Sequence, residues 1–227
     1  MSNKINEINW KKEQLWKGCI LASIAHAIMV AHYPELSNEH SWDGINYNVQ
    51  DSEGVRGTIT FGLEYCVGAF CNYNSDRIKM LKNTSMVEDY FRSVPKEIIN
   101  IAENEALQYL LEEVEGENIP IITTMFWGGR EKFFGIDSLE DMYYNGVFLL
   151  KRQLLEFENA IESWIEYYDM SSQQSELLKA IFNRKIYTKS QNIILSKEDI
   201  QKIGTIDANG LMESKQSFKE IGIILEY

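Results

Sequence analysis

Residues 10–33 read WKKEQLWKGCILASIAHAIMVAHY, and Pro34 follows at once. Proline lacks an amide hydrogen and clashes with the preceding turn, so it marks the end of a helix that begins near Trp10. Leu15, Cys19, Ala22, His26, Met29 and Tyr33 recur three or four residues apart and share one stripe. Trp16, Ile20, Ile24, Ala27 and Ala31 point elsewhere, so from Gly18 onward the segment is apolar almost all round. A helix of this kind is buried on most sides. Ser23 and two histidines interrupt it, and its apolar run is too short for a membrane span. The expectation is an α+β fold: an antiparallel or mixed sheet packed on this buried N-terminal helix, with a mostly helical C-terminal part.

The sheet is expected to begin just after the helix. Asp43-Gly44 is a turn dipeptide. Ile45, Tyr47 and Val49 then alternate with Asn46, Asn48 and Gln50. After a turn at residues 51–54, Val55, Gly57, Ile59 and Phe61 alternate with Arg56, Thr58 and Thr60. Two runs of period two across a short turn predict an amphipathic hairpin over residues 45–61. A third strand, residues 63–72, is apolar on both faces, with Gly68 read as a bulge. The apolar face of this meander is expected to lie on the opening helix, whereas residues 1–9 are polar and expected to be loosely held.

Further on, residues 72–83 are turn-rich and have room for one helical turn, and residues 86–94 predict a short helix. Pro95 suits the first turn of a longer helix ending near Val114 at Gly116. Residues 119–127 read as one central strand. Ser138 with Asp141 and Ser196 with Asp199 carry capping-box spacing, and Ser171 or Ser172 is placed to cap a helix over residues 173–184. Asn145-Gly146 interrupts the helical pattern before an amphipathic stretch over residues 147–169, and residues 192–195 and 221–227 read as short strands. No Pro/Gly/Ser-rich linker divides the chain, so residues 1–227 are expected to form a single domain, with a weak subdivision marked near residues 134–138.

The formal charge of −12 over 227 residues disfavours nucleic acid and anionic membrane as partners and suits a basic protein. The first residues carry no apolar signal core, and three cysteines are an odd number without a scaffold pattern, so a reducing cytoplasm is the expected compartment. Residues 95–117 carry Glu97, Glu103, Glu105, Glu112, Glu113, Glu115 and Glu117 against Lys96. Residues 139–169 carry Glu140, Asp141, Glu156, Glu158, Glu162, Glu166 and Asp169 against Lys151 and Arg152. Read as two helices, they present an acidic interaction surface in which Glu103, Glu112, Glu113, Glu156, Glu162 and Glu166 are the chosen residues.

Gln14, five residues before Cys19 at the start of a long helix, resembles the order in papain-like cysteine peptidases. The resemblance covers residues 14–30. It implies Cys19 as a nucleophile, but the family's motif around the cysteine and its late histidine are missing: the histidines are His26, His32 and His40. Cys19 and His26 are separated by roughly 10 Å along one helix, too far for a nucleophile–base pair. No His-x3-His pair exists, and His26 and His32 point about 120° apart around the helix, so no metal and no cofactor are expected. Gly128-Gly129-Arg130 lacks the full pattern of a phosphate loop.

The hairpin's polar face remains as a candidate for ligand or partner binding: Asn46, Asn48, Arg56 and Thr58, with Trp42 and Asp43 at its entrance. An ordinary solvated face is the plainer expectation for it. If the face is covered, Arg56 needs a carboxylate, with Glu64 or Asp43 nearest in sequence. The resulting expectation is a non-catalytic, cytoplasmic, acidic binding protein of inhibitor or immunity type, which meets its basic partner through the acidic helices and exposed aromatics such as Trp127, Tyr143 and Tyr144. The alternative is a small-molecule enzyme or sensor with a pocket between the opening helix and the 45–61 hairpin, built on Arg56, Asp43, His26 and Cys19.

Overall fold

The computed structural model describes residues 5–80, 86–91, 94–187 and 192–226. The expectations that fell on residues 1–4, 81–83, 92–93 and 227 lie outside them. In chain order the elements are β1 (Asn6–Ile8), α1 (Lys12–Met29), β2 (His40–Asp43), β3 (Asn46–Gln50), β4 (Val55–Phe61), β5 (Cys66–Asn72), α2 (Met86–Phe91) and α3 (Lys96–Asn104). They continue with β6 (Leu111–Val114), β7 (Glu117–Pro120), β8 (Thr124–Gly128), β9 (Phe133–Gly135), α4 (Leu139–Tyr144), α5 (Phe157–Tyr168) and α6 (Ser172–Tyr187). The last are β10 (Ile193–Leu195), α7 (Lys197–Ile203), α8 (Ala208–Glu220) and β11 (Ile223–Leu225). Helices and a large antiparallel sheet together make the fold α+β. Among the described residues no helix is long and apolar enough to cross a membrane. The chain divides into two compact units, Met1–Gln14 with Ile45–Lys151, and Leu15–Gly44 with Arg152–Tyr227. Residues 134–138 lie inside the first of them.

In the first unit the strands follow the order β1-β9-β8-β5-β4-β3, antiparallel at each pairing. The β3–β4 turn is set by Asp51, whose carboxylate accepts from the amides of Glu53 and Val55, both at 2.9 Å. Gly54 supplies the left-handed residue there (φ +84°). Gly68 is not a bulge. It pairs in register with Ile59 and Phe126, and a Cβ on it would fall 2.3 Å from the Phe126 ring. Its lack of a side chain makes room for that ring, which also meets Trp10 edge-on at 5.3 Å and Phe133 at 5.6 Å.

The sheet's other face carries Val67, Ala69, Cys71, Met125 and Trp127, and it is covered by Ile98, Ala102, Ala106, Leu107 and Leu110. The covering segment departs from the expected helix. α3 ends at Asn104, a 3-10 turn runs over Ala106–Leu110, and the chain then forms the β6–β7 hairpin. Glu115 and Gly116 connect those strands with φ of +54° and +87°, the pattern of a two-residue primed turn. The expected 119–127 strand is likewise two strands, with β7 ending at Pro120 and β8 starting at Thr124. Residues 6–8, expected to be loose, are tied to β9 as an edge strand. A partly buried polar network closes the unit. Asp137 accepts from Arg77 at 2.7 and 3.0 Å and from Thr124 Oγ1 at 2.7 Å. Arg77 and Tyr90 also donate to the Thr123 carbonyl, at 2.7 and 2.8 Å.

The second unit is built round α1. Ile20 to Ala31 contribute nine residues to a core that continues through Ala160, Ile161 and Trp164 of α5, Leu177, Leu178 and Ile181 of α6, and Phe218 of α8. Partners on several sides explain why this helix is apolar almost all round. α8 approaches its end closely: a Cβ on Gly210 would lie 2.1 Å from the Ala31 carbonyl oxygen, and Ser214 donates to the Ala27 carbonyl at 2.6 Å. The expected cap signals hold. Ser196 and Asp199 form a reciprocal capping box on α7, and Ser171 accepts from the Gln174 amide ahead of α6. Asp207, not among the expected caps, caps α8. β10 and β11 pair in parallel across α7 and α8.

Candidate functional site

The polar face of the β3–β4 hairpin is covered, not solvated. Directly opposed side chains pair across the strands: Thr60 Oγ1 donates to Asn46 Oδ1 at 2.6 Å, and Thr58 Oγ1 to Asn48 Oδ1 at 2.7 Å. Asn46 then donates to Glu105 at 2.7 Å and to the Tyr109 hydroxyl at 3.3 Å. Arg56 is paired with Glu112, which also accepts from the Tyr73 hydroxyl at 2.5 Å. The carboxylate that Arg56 needs therefore comes from the segment after α3 and not from Glu64, which faces Arg130, or from Asp43. These contacts bind the 105–112 segment to the sheet.

Trp42 and Asp43 belong to the second unit, the other four chosen residues to the first. Trp42 donates its indole N–H to Ser23 at 2.8 Å and its amide to Glu220 at 2.9 Å, while Asp43 is exposed. Arg56 is engaged by Glu112 within its unit, and His26 meets Tyr168 within the other.

The acidic residues divide in the same way. Glu97 and Glu103 are exposed on α3, and Glu113, Glu115 and Glu117 on the β6–β7 hairpin, whereas Glu105 and Glu112 are turned inward to Asn46 and Arg56. Glu112 is thus a strut, and the residues from 112 to 117 lie on a hairpin, not on the expected helix. In the second unit Glu156, Glu162 and Glu166 are exposed at the start and on the outer face of α5. Of the aromatics expected at the surface, Tyr143 and Tyr144 are exposed, but Trp127 is buried on β8.

All three cysteines are buried, and none is in a disulfide. Burial pushes the Cys71 thiol up to about 11 and raises Cys66 further, which disfavours the thiolate that nucleophilic chemistry needs.

One cluster in the second unit was not legible from helix periodicity. His26 on α1 meets His40, the first residue of β2, with ring centroids 5.2 Å apart and edge to face. Donor atoms of His26, Glu39 and His40 all lie within 4.8 Å of one another. The Tyr168 hydroxyl is 3.4 Å from His26 Nδ1 and hydrogen-bonds Glu39, and the Tyr167 hydroxyl reaches Glu39 at 3.5 Å. His40 also meets the Trp164 ring at 5.5 Å, and the Arg152 guanidinium stacks on Tyr167 at 3.9 Å and faces Trp164 at 5.2 Å. Burial lowers His26 to about 4 and His40 well below its usual value, the latter helped by His26 and Arg152. Both rings are neutral at pH 7 and present lone pairs. Spacing along α1 compared His26 with His32, but the relevant partners are the two residues entering β2. His32 instead contacts the Ile203 carbonyl at 2.7 Å.

Comparison with protein-family models, with curated proteins and with solved structures finds no match to this chain.

Proposed function

We propose that this protein is a non-catalytic, cytoplasmic binding protein of inhibitor type that engages a basic protein through the acidic side of its first unit. The observation that carries the reading is the β6–β7 hairpin. Its strands pair with each other, and Glu113, Val114, Glu115, Gly116 and Glu117 are all exposed. Its root is anchored by Leu110 in the core and by the Arg56–Glu112 pair. A hairpin fixed at its base and acidic at its tip holds its charges in a set geometry, so little ordering cost falls on association. The exposed acids Glu97 and Glu103 on α3 extend the same sign of charge within that unit. A field of one sign speeds encounter with a partner of the other, and salt weakens it.

The test couples capture to charge reversal. The immobilised chain is expected to retain a protein of high isoelectric point whose association rate falls at least about tenfold between low and physiological salt. The variant carrying Glu103→Lys, Glu113→Lys, Glu115→Lys and Glu117→Lys should lose that retention while keeping its circular dichroism spectrum. Retention that ignores both salt and the four substitutions, or no retained protein at all, overturns the reading.

A further inference from the structure

We propose that His26, Glu39 and His40 form a binding site for one divalent first-row transition-metal ion, of which zinc is the natural probe. Two imidazoles and one carboxylate are the donor set of many zinc sites and of open iron(II) sites. The three donors come from α1 and from the chain entering β2, and they already lie within 4.8 Å of one another. Bonds of about 2.0–2.2 Å in tetrahedral geometry place ligand atoms about 3.3 Å apart, so closure on an ion needs side-chain movement of roughly an ångström.

A second observation is independent of this spacing. His26 is almost wholly buried, and its Nε2 makes no hydrogen bond of normal geometry, the Ser37 backbone being the one main-chain group that acts on the ring. A buried polar atom left unpaired costs about 1–3 kcal/mol, so native proteins keep few of them without a use. Two more buried nitrogens of the same neighbourhood, Trp164 Nε1 and Arg152 Nε, are also unpaired. Both are donors, and the oxygen of a water or anion completing the ion's coordination would satisfy such groups. Tyr168 and Tyr167 act as the outer shell, holding Glu39 through their hydroxyls. Arg152 is the opposing charge, and Glu39 offsets it.

The site is separate from the acidic hairpin proposed to bind a protein, and its test does not depend on that partner. Zinc(II) and cobalt(II) alone are titrated into the metal-free full chain, with a chromophoric chelator as competitor for zinc. The visible spectrum of cobalt reports nitrogen and oxygen ligation. One ion per chain is expected, with a rise in melting temperature. His26→Gln, His40→Gln and Glu39→Gln should each weaken binding at least about tenfold, and His32→Gln should leave it unchanged. The chain has only three histidines, so His32 is the sole competing imidazole. If the histidine variants fail to fold, Glu39→Gln and the cobalt spectrum of the unaltered chain decide. No stoichiometric binding by the unaltered chain, no effect of Glu39→Gln, or loss of binding in His32→Gln overturns the proposal.

Discussion

In the first unit Asp137 receives two hydrogen bonds from Arg77, at 2.7 and 3.0 Å, and a third from Thr124. In the second, His26 has a hydroxyl at 3.4 Å from Nδ1, and its Nε2 makes no hydrogen bond of normal geometry. Both clusters are at least partly buried and both join distant parts of the sequence. The first is completed by its own residues: charge meets charge, and the leftover donors reach the Thr123 carbonyl. The second leaves His26 Nε2, Trp164 Nε1 and Arg152 Nε buried without hydrogen bonds of normal geometry. A completed network is a clamp, because each member satisfies the others. An incomplete one is a place to look for a ligand, because its cost is recovered only on binding.

The largest expected effect follows from breaking the completed cluster. Asp137→Ala leaves the half-buried Arg77 guanidinium without its carboxylate and removes three hydrogen bonds, and should cost about 3 kcal/mol in urea unfolding. A loss below about 1 kcal/mol would show that the network does not clamp the first unit.

Acid should single out the other cluster in the metal-free chain, since all three histidines belong to the second unit. Folded His26 is lowered from 6.5 to about 4 by burial, so below pH 6.5 the unfolded chain binds more protons. The stability that His26 contributes is complete above pH 6.5 and is lost as pH falls toward 4. Between pH 7 and 4.5 the loss attributable to this residue is about 2–3 kcal/mol, read as the difference between the unaltered chain and His26→Leu. Parallel pH profiles for the two proteins would contradict it.

The smallest effect sharpens the contrast. At pH 7.5, without metal, His26→Leu should change stability by no more than about 1 kcal/mol, because it removes an unpaired polar atom along with the ring. A loss as large as that of Asp137→Ala would place the histidine cluster beside the arginine network as a structural clamp.

Features governed by neighbours in sequence were legible without a structure. Ser138, Ser171 and Ser196 cap helices because a hydroxyl and an amide three residues on need only local geometry. The β3–β4 hairpin follows from period-two alternation and from the Asp51 turn. The stretch from Pro95 to Glu117 was misread for the opposite reason. Its leucines and glutamates favour a helix as an isolated chain. Pairing of Leu111–Val114 with Glu117–Pro120, and of Asn46 and Arg56 with Glu105 and Glu112, outweighs that preference. The supposedly solvated hairpin face failed in the same way: its amides and hydroxyls are spent on each other and on a segment some sixty residues away.

The opening helix marks the limit between the two kinds of information. Composition and periodicity alone determined that a helix lies within residues 10–33 and is buried on most sides, because apolar side chains on every face have no other stable place; the helix itself spans Lys12–Met29 and ends before Tyr33 and Pro34 are reached. Where each of its polar groups goes was decided by tertiary structure. Ser23 meets Trp42, and His26 meets His40, because the chain reverses after the helix. Tyr168 reaches His26 from 142 residues away. No spacing rule along one helix anticipates a donor set assembled by such a reversal, since the distances that matter run through space and not along the chain.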